Sequence, residues 1–160
     1  MRKMSKISPK SSKAQSEQPE LNEEIRHVLT EIRMVLPGAQ ALLGFQLITF
    51  VLSDFDKLAY SLKVIHSLSL IMMCLSVIGL MTPAAYHRIV ERGENTEHFH
   101  RFAGAMLLAA LVPLALGICG DFYVVMSKVS KSELLPIMLT ILLLIFFGGL
   151  WFGLPLLRRR

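Results

Sequence analysis

Polar and ionisable side chains fall at similar depths inside otherwise apolar segments of this chain. Counted at about 1.5 Å per residue from the segment ends, Lys63 and Asp121 lie roughly 8 Å deep. On the same count Gln46, His66 and Thr140 lie roughly 9–13 Å deep. Ionisable groups in such surroundings are costly to bury and mark functional sites. We therefore predict a polar layer that binds an ion or a proton, formed by Gln46, Thr49, Lys63, His66, Asp121 and Thr140. The alternative is that Lys63 and Asp121 simply reach interfacial water.

Small residues recur at a spacing that lets helices approach closely. One stripe repeats every four residues, and a second motif follows near the C-terminus. We expect these positions to pack subunits of a homo-oligomer, and the alternative is packing within one subunit. The residues are Ala105, Ala109, Pro113, Gly117 and Asp121, then Gly149-x-x-x-Gly153.

Three histidines, His87, His98 and His100, cluster between two apolar segments, and the sequence leaves their role open. They lack a recognised zinc spacing, so we predict no metal site. His66 as an axial haem ligand would need a second histidine from another subunit, and we predict no cofactor. No nucleophile elbow or phosphate-binding glycine loop is present, so we do not expect an enzyme.

The elements that must hold these residues are helices. The chain has 160 residues, 53% of them hydrophobic, with a mean hydropathy of +0.53. A membrane-spanning helix needs about 20 apolar residues. Four uncharged runs satisfy that length: Met34–Ser53, Val64–Tyr86, Phe102–Gly120 and Leu134–Leu157. The sequence predicts an all-α membrane protein with four transmembrane helices, preceded by an amphipathic surface helix.

The N-terminal third divides at changes of composition. Residues 1–19 are polar and Ser/Lys-rich, which predicts a disordered basic tail. Residues 20–37 carry apolar side chains at helical spacing and predict an amphipathic interfacial helix. Pro37-Gly38 is expected to break or bend the chain there. Residues 38–160 form the predicted four-helix transmembrane domain.

Basic residues give the orientation. The formal net charge is +5, and its cations flank apolar runs, which favours contact with lipid over nucleic acid. Arginines concentrate at the N-terminal flank, between the second and third runs, and at the C-terminus. The bias predicts a multi-pass protein with both termini in the cytoplasm.

Two motifs resemble an uncharacterised bacterial domain-of-unknown-function family of small four-span membrane proteins, some of them labelled sodium/proton antiporters. The resemblance covers roughly residues 21–126 and implies the bacterial inner membrane. The motifs are Glu31-Ile-Arg33-x-x-Leu36-Pro37-Gly38-x-Gln40-x-x-Leu43-Gly44-Phe45 and Pro83-x-Ala85-Tyr86-His87-Arg88.

These observations leave two functions open. The first is permeation of a small ion or proton, with the path at a subunit interface of a homo-oligomer. The second is a non-catalytic membrane scaffold, sensor or accessory subunit. Such a subunit would bind a membrane-protein partner through the surface helix and the cytoplasmic loop. A continuous wetted path favours the first, and a dry, filled bundle favours the second.

Cysteine labelling of intact cells tests the predicted orientation. We expect Ser130→Cys to react with an impermeant maleimide from outside and Asn95→Cys to react only after lysis. The native Cys74 and Cys119 lie inside apolar runs, and the unsubstituted protein controls for them. Labelling of Asn95→Cys but not Ser130→Cys in intact cells would reverse the topology.

Overall fold

The computed structural model describes residues 9–52, 55–90 and 96–158 and contains no strand in these ranges. Short connections at 52–59 and 130–133 make successive helices antiparallel. We call the end with these connections the loop end and the opposite end the termini end. The helices are α1 (Pro9–Val51), α2 (Tyr60–Ile89), α3 (Glu97–Val129), α4 (Leu134–Gly148) and α5 (Leu154–Arg158), with a π-helical turn, Gly149–Gly153, between the last two.

Four stretches are long and apolar enough to cross a membrane, as the sequence predicts. Their outward surface is apolar. In the most apolar 18-residue part of the fourth stretch, no residue is buried. An apolar surface of this extent is suited to lipid rather than water. The stretches are Leu21–Val51, Tyr60–Ile89, Glu97–Val129 and Leu134–Arg158.

The pairing of α2 with α3 forms the centre of the bundle. Buried positions on both helices alternate at spacings of three and four, the pattern of a left-handed coiled coil. Small residues bring the backbones together, since a Cβ added at Gly79 would lie 3.1 Å from Ala110 Cβ. The buried residues are His66, Ser69, Met73, Ser76, Leu80 and Pro83 on α2, and include Ala103, Leu107, Ala110, Leu114 and Gly117 on α3.

Helix α1 runs without interruption through Pro37, so the structure does not contain the predicted interfacial helix 20–37 ended by a break. One face explains the continuity: Ile25, Ile32, Ala39 and Gln46 are buried at seven-residue intervals on both sides of the proline. Packing of that face on neighbouring helices outweighs the hydrogen bond that a proline removes, as in other membrane helices.

The N-terminal part of α1 is packed against protein. Ile25 clusters with Phe99 and Ala103 at the termini end, and Leu21 and Tyr86 pack against this cluster. Its apolar stripe therefore covers the start of α3. Of the predicted tail, residues 1–8 lie outside the described residues, and α1 begins at Pro9.

The four-residue stripe on α3 does not form one contact line within the subunit. Ala105 and Ala109 are exposed, Pro113 is half-buried and Gly117 is buried. Four residues turn a helix by about 400°, so the stripe drifts by about 40° at each step. A Cβ at Gly149 would meet nothing within 4 Å, and one at Gly153 would approach only Gly148 O, at 3.6 Å. Their role in an oligomer stays a prediction.

Gly117→Ala tests the α2–α3 contact, with Gly104→Ala as the matched control. The added Cβ would lie 2.8 Å from Met73 Cγ and Sδ and 3.1 Å from Ser69 O, whereas Gly104 has nothing within 4 Å. We expect Gly117→Ala to lower the free energy of unfolding by about 1–3 kcal/mol. Gly104→Ala should leave it unchanged or raise it by up to about 1 kcal/mol. Circular dichroism during denaturation in detergent measures both, and equal effects would contradict this packing.

Candidate functional site

Three of the predicted polar-layer residues meet near the loop end. Gln46 precedes the end of α1, His66 follows the start of α2, and Asp121 precedes the end of α3. Their distances from those helix ends are about 8, 9 and 12 Å along the axes. Antiparallel packing therefore brings the three side chains to a common depth.

Asp121 is hydrogen-bonded through both carboxylate oxygens. Its Oδ1 lies 2.9 Å from His66 Nδ1, and its Oδ2 accepts a hydrogen bond from Gln46 Nε2. The side chains of His66 and Asp121 are 5% and 27% exposed, and Gln46 is buried. One carboxylate thus joins α1, α2 and α3 in what we call the Gln46–His66–Asp121 cluster.

Proton positions in the cluster follow from its acceptors. His66 Nε2 lies 3.3 Å from the backbone oxygen of Gln46, which can only accept, so this contact requires a proton on Nε2. The contact between Nδ1 and Asp121 Oδ1 then needs a second proton, carried by either partner. A neutral imidazole and an ionised carboxylate supply only one proton between them. The fully bonded cluster therefore holds one proton more than that pair.

Aromatic rings cover His66 on the side of the loop end. The ring centroids of Phe50 and Phe55 lie 4.9 and 5.8 Å from that of His66, and 4.6 Å from each other. Neither phenylalanine was singled out from the sequence. Phe50 follows Gln46 by four residues on the same helix face, and that spacing is the signal that would have found it.

Lys63 does not bind Asp121. Its Nζ donates to the backbone oxygen of Asp56 at 3.1 Å and lies 5.6 Å from the centre of the Phe55 ring. Of the two basic side chains of the predicted polar layer, Lys63 and His66, Asp121 contacts His66. Lys63 instead holds the connection that carries Phe55.

The two predicted threonines stand apart from the cluster's hydrogen bonds. Thr49 Oγ1 donates to Phe45 O within α1. Thr140 Oγ1 on α4 is buried and has no hydrogen-bond partner among the described residues, and the same holds for Gln46 Oε1. Both buried oxygens can accept a hydrogen bond from a water or another donor.

The histidines of the α2–α3 connection lie at the termini end. His87 contacts the Phe99 ring, 4.7 Å between centroids, and His100 Nδ1 lies 3.7 Å from Glu24 Oε2. His98 is exposed. Within residues 9–52, 55–90 and 96–158, no group of three histidine, cysteine or acidic side chains could hold a metal ion. Both ring nitrogens of His66 face oxygen atoms, which suits proton sharing rather than axial ligation.

Four apolar stretches long enough to span a membrane, three of which share a hydrogen-bonded polar cluster, define a multi-pass α-helical membrane protein. The chain belongs to a family of unknown function, DUF6328, whose model matches residues 14–155. The resemblance to an uncharacterised family is thereby confirmed, and the match extends over the fourth span. No curated protein and no solved structure matches the chain.

A double-mutant cycle tests whether His66, rather than Lys63, is the partner of Asp121. We expect His66→Gln and Asp121→Asn to be coupled by about 1–2 kcal/mol in the free energy of unfolding, because the two side chains share a hydrogen bond. Lys63→Gln and Asp121→Asn should be additive within about 0.5 kcal/mol. Unfolding in mixed micelles gives both cycles. Coupling of Asp121 to Lys63 alone would contradict the site.

Proposed function

We propose that this membrane protein is a proton-responsive, non-catalytic module. The Gln46–His66–Asp121 cluster gains or loses a proton and thereby changes how α1 packs on α2 and α3. The observation that carries the proposal is that both ring nitrogens of His66 face acceptor oxygens, so all contacts are made only with the additional proton present.

Loss of that proton has a structural consequence. It leaves one net negative charge in an apolar bundle and removes either the contact to Asp121 Oδ1 or the contact to the Gln46 carbonyl. An uncompensated charge in such surroundings is costly, so the site must admit water or separate. Movement of α1 lowers the cost of the buried charge, because Gln46 on this helix contacts both Asp121 and His66 and separates from them when α1 moves.

Of the three helices that form the cluster, α1 is the one best suited to move. In the most apolar 18-residue part of α1, 11% of the residues are buried. The corresponding fractions are 28% for α2 and 39% for α3. The α2–α3 pair is held by close approaches such as Gly79 to Ala110. A change in the cluster therefore acts on the most weakly held of the three helices.

The rest of the interior favours sensing over conduction. Between the cluster and the termini end, the core consists of apolar side chains such as Ile32, Leu80 and Leu107. Ser69 and Ser76 are the buried polar side chains in that part of the described bundle. Apolar side chains offer a proton no donor or acceptor, so this part of the core is poorly suited to a proton relay within one subunit.

Permeation of a proton or small ion is the second candidate. Its support is that buried side-chain oxygens lack a hydrogen-bond partner among the described residues, namely Gln46 Oε1, Thr140 Oγ1 and Ser76 Oγ. Because the core beyond the cluster is mostly apolar, this function would place the path between subunits of a homo-oligomer. No residue in the most apolar part of the fourth span is buried, which leaves room for such an interface.

Distance measurements between spin labels test the proton response. Labels at Leu47 on α1 and Val125 on α3, both about half exposed, are introduced after Cys74 and Cys119 are replaced by alanine. We expect the distance in proteoliposomes to change by several ångströms as the pH is raised from acidic to alkaline. The cause is loss of the shared proton.

Asp121→Asn and His66→Gln should abolish the change, and His98→Gln should retain it. The other ionisable groups at the loop end are the same in all variants, so the comparison removes their contribution. A response that survives in Asp121→Asn would overturn the proposal. In the same liposomes under an imposed pH gradient, a proton flux that Asp121→Asn abolishes would favour permeation instead.

A further inference from the structure

A second polar feature lies at the termini end, on the face where α1 meets α2. A groove with a volume of about 310 Å³ separates the two helices there. Ile32, Leu36 and Leu80 are among the apolar residues that line it, and Arg33 and Arg88 also line it. No acidic residue lines the groove. It is therefore an apolar slot next to two positive charges.

The two arginines are available to a ligand. Both are exposed, and neither forms an ion pair with another side chain in the described part of the chain. A guanidinium binds the oxygens of a phosphate through paired hydrogen bonds. Two guanidinium groups beside one slot thus favour a phosphate group with an apolar extension.

The groove lies at a membrane boundary. Arg33 is about 27 Å from the loop end of α1, and Arg88 about 42 Å from the loop end of α2, at 1.5 Å per residue. The hydrocarbon core of a bilayer is about 30 Å thick. Leu36 and Leu80 fall within this thickness, at about 22 and 30 Å. The groove thus crosses the edge of the hydrocarbon core. Leu36 lies within the core, Arg33 and Leu80 lie near its edge, and Arg88 lies beyond it at headgroup level. The long side chain of Arg33 can extend from the edge to the headgroups.

We infer that this groove binds a phospholipid with an anionic headgroup. The phosphate pairs with Arg33 and Arg88, and the first part of an acyl chain lies on Ile32, Leu36 and Leu80. Basic sites between helices at a membrane interface recognise such headgroups. The inference is independent of the proton response, because none of these residues belongs to the Gln46–His66–Asp121 cluster.

Comparison of the binding of two phospholipids tests the site. The full chain in nonionic detergent is titrated with phosphatidylglycerol or phosphatidylcholine, and native mass spectrometry gives the bound fraction. We expect tighter binding of phosphatidylglycerol. Arg33→Gln and Arg88→Gln should each weaken it about five-fold, and the double variant about thirty-fold, because each basic residue contributes a similar electrostatic gain.

Two control variants separate a built site from general attraction to charge. Arg101→Gln/Arg158→Gln removes the same charge from the termini end outside the groove and should leave binding unchanged. Ala84→Trp keeps all charges but fills the groove at an exposed lining residue, and should reduce binding as the arginine variants do. Circular dichroism checks that each variant is folded. If the double arginine variant does not fold, the two single arginine variants and Ala84→Trp test the inference.

Three outcomes would overturn the inference. Equal affinity for the two lipids would remove the headgroup preference. Equal loss in Arg101→Gln/Arg158→Gln would reduce the effect to net charge. Displacement of the lipid by inorganic phosphate alone at comparable affinity would assign the arginines to a free anion.

Discussion

The carboxylate of Asp121 must have both oxygens hydrogen-bonded inside an apolar bundle, and the arrangement of three helices follows from that requirement. His66 and Gln46 supply the partners from two different helices. The neighbouring Gly120 allows the approach, since a Cβ there would collide with Ser69 Oγ. Gly120 and Ser69 thus let α3 approach α2 closely at the level where Asp121 contacts His66.

The sequence predicts much of the fold because hydropathy and length determine which segments span a membrane. The same counting places Gln46, His66 and Asp121 at one depth, and the structure brings these three together. Depth does not give rotation about a helix axis. Lys63 and His66 are three residues apart on α2, and only packing decides which of them faces Asp121.

The departures from expectation have physical causes that a single segment does not reveal. The backbone of Pro37 lacks an N–H donor, and on that basis the sequence predicts a helix break. The helix continues because the buried residues from Ile25 to Gln46 pack against α2 and α3, which the local sequence does not reveal. The repeat of four on α3 resembles a stripe in the sequence but rotates around a real helix. Phe50 and Phe55 lie beside His66, and Phe55 belongs to the α1–α2 connection to which Lys63 donates a hydrogen bond. These contacts join separate segments, so the sequence of one segment does not reveal them.

The unbroken length of α1 has a mechanical consequence. From Gln46 back to Pro9 the helix extends about 56 Å, close to twice the thickness of a hydrocarbon core. If it tilts as a rigid rod about the cluster, a rotation of only about 5° sweeps its far tip through roughly 5 Å. A lever of this kind amplifies a sub-ångström change at one surface of the membrane into a displacement that another molecule can detect at the opposite surface. A helix broken at Pro37 would lose that leverage at the joint.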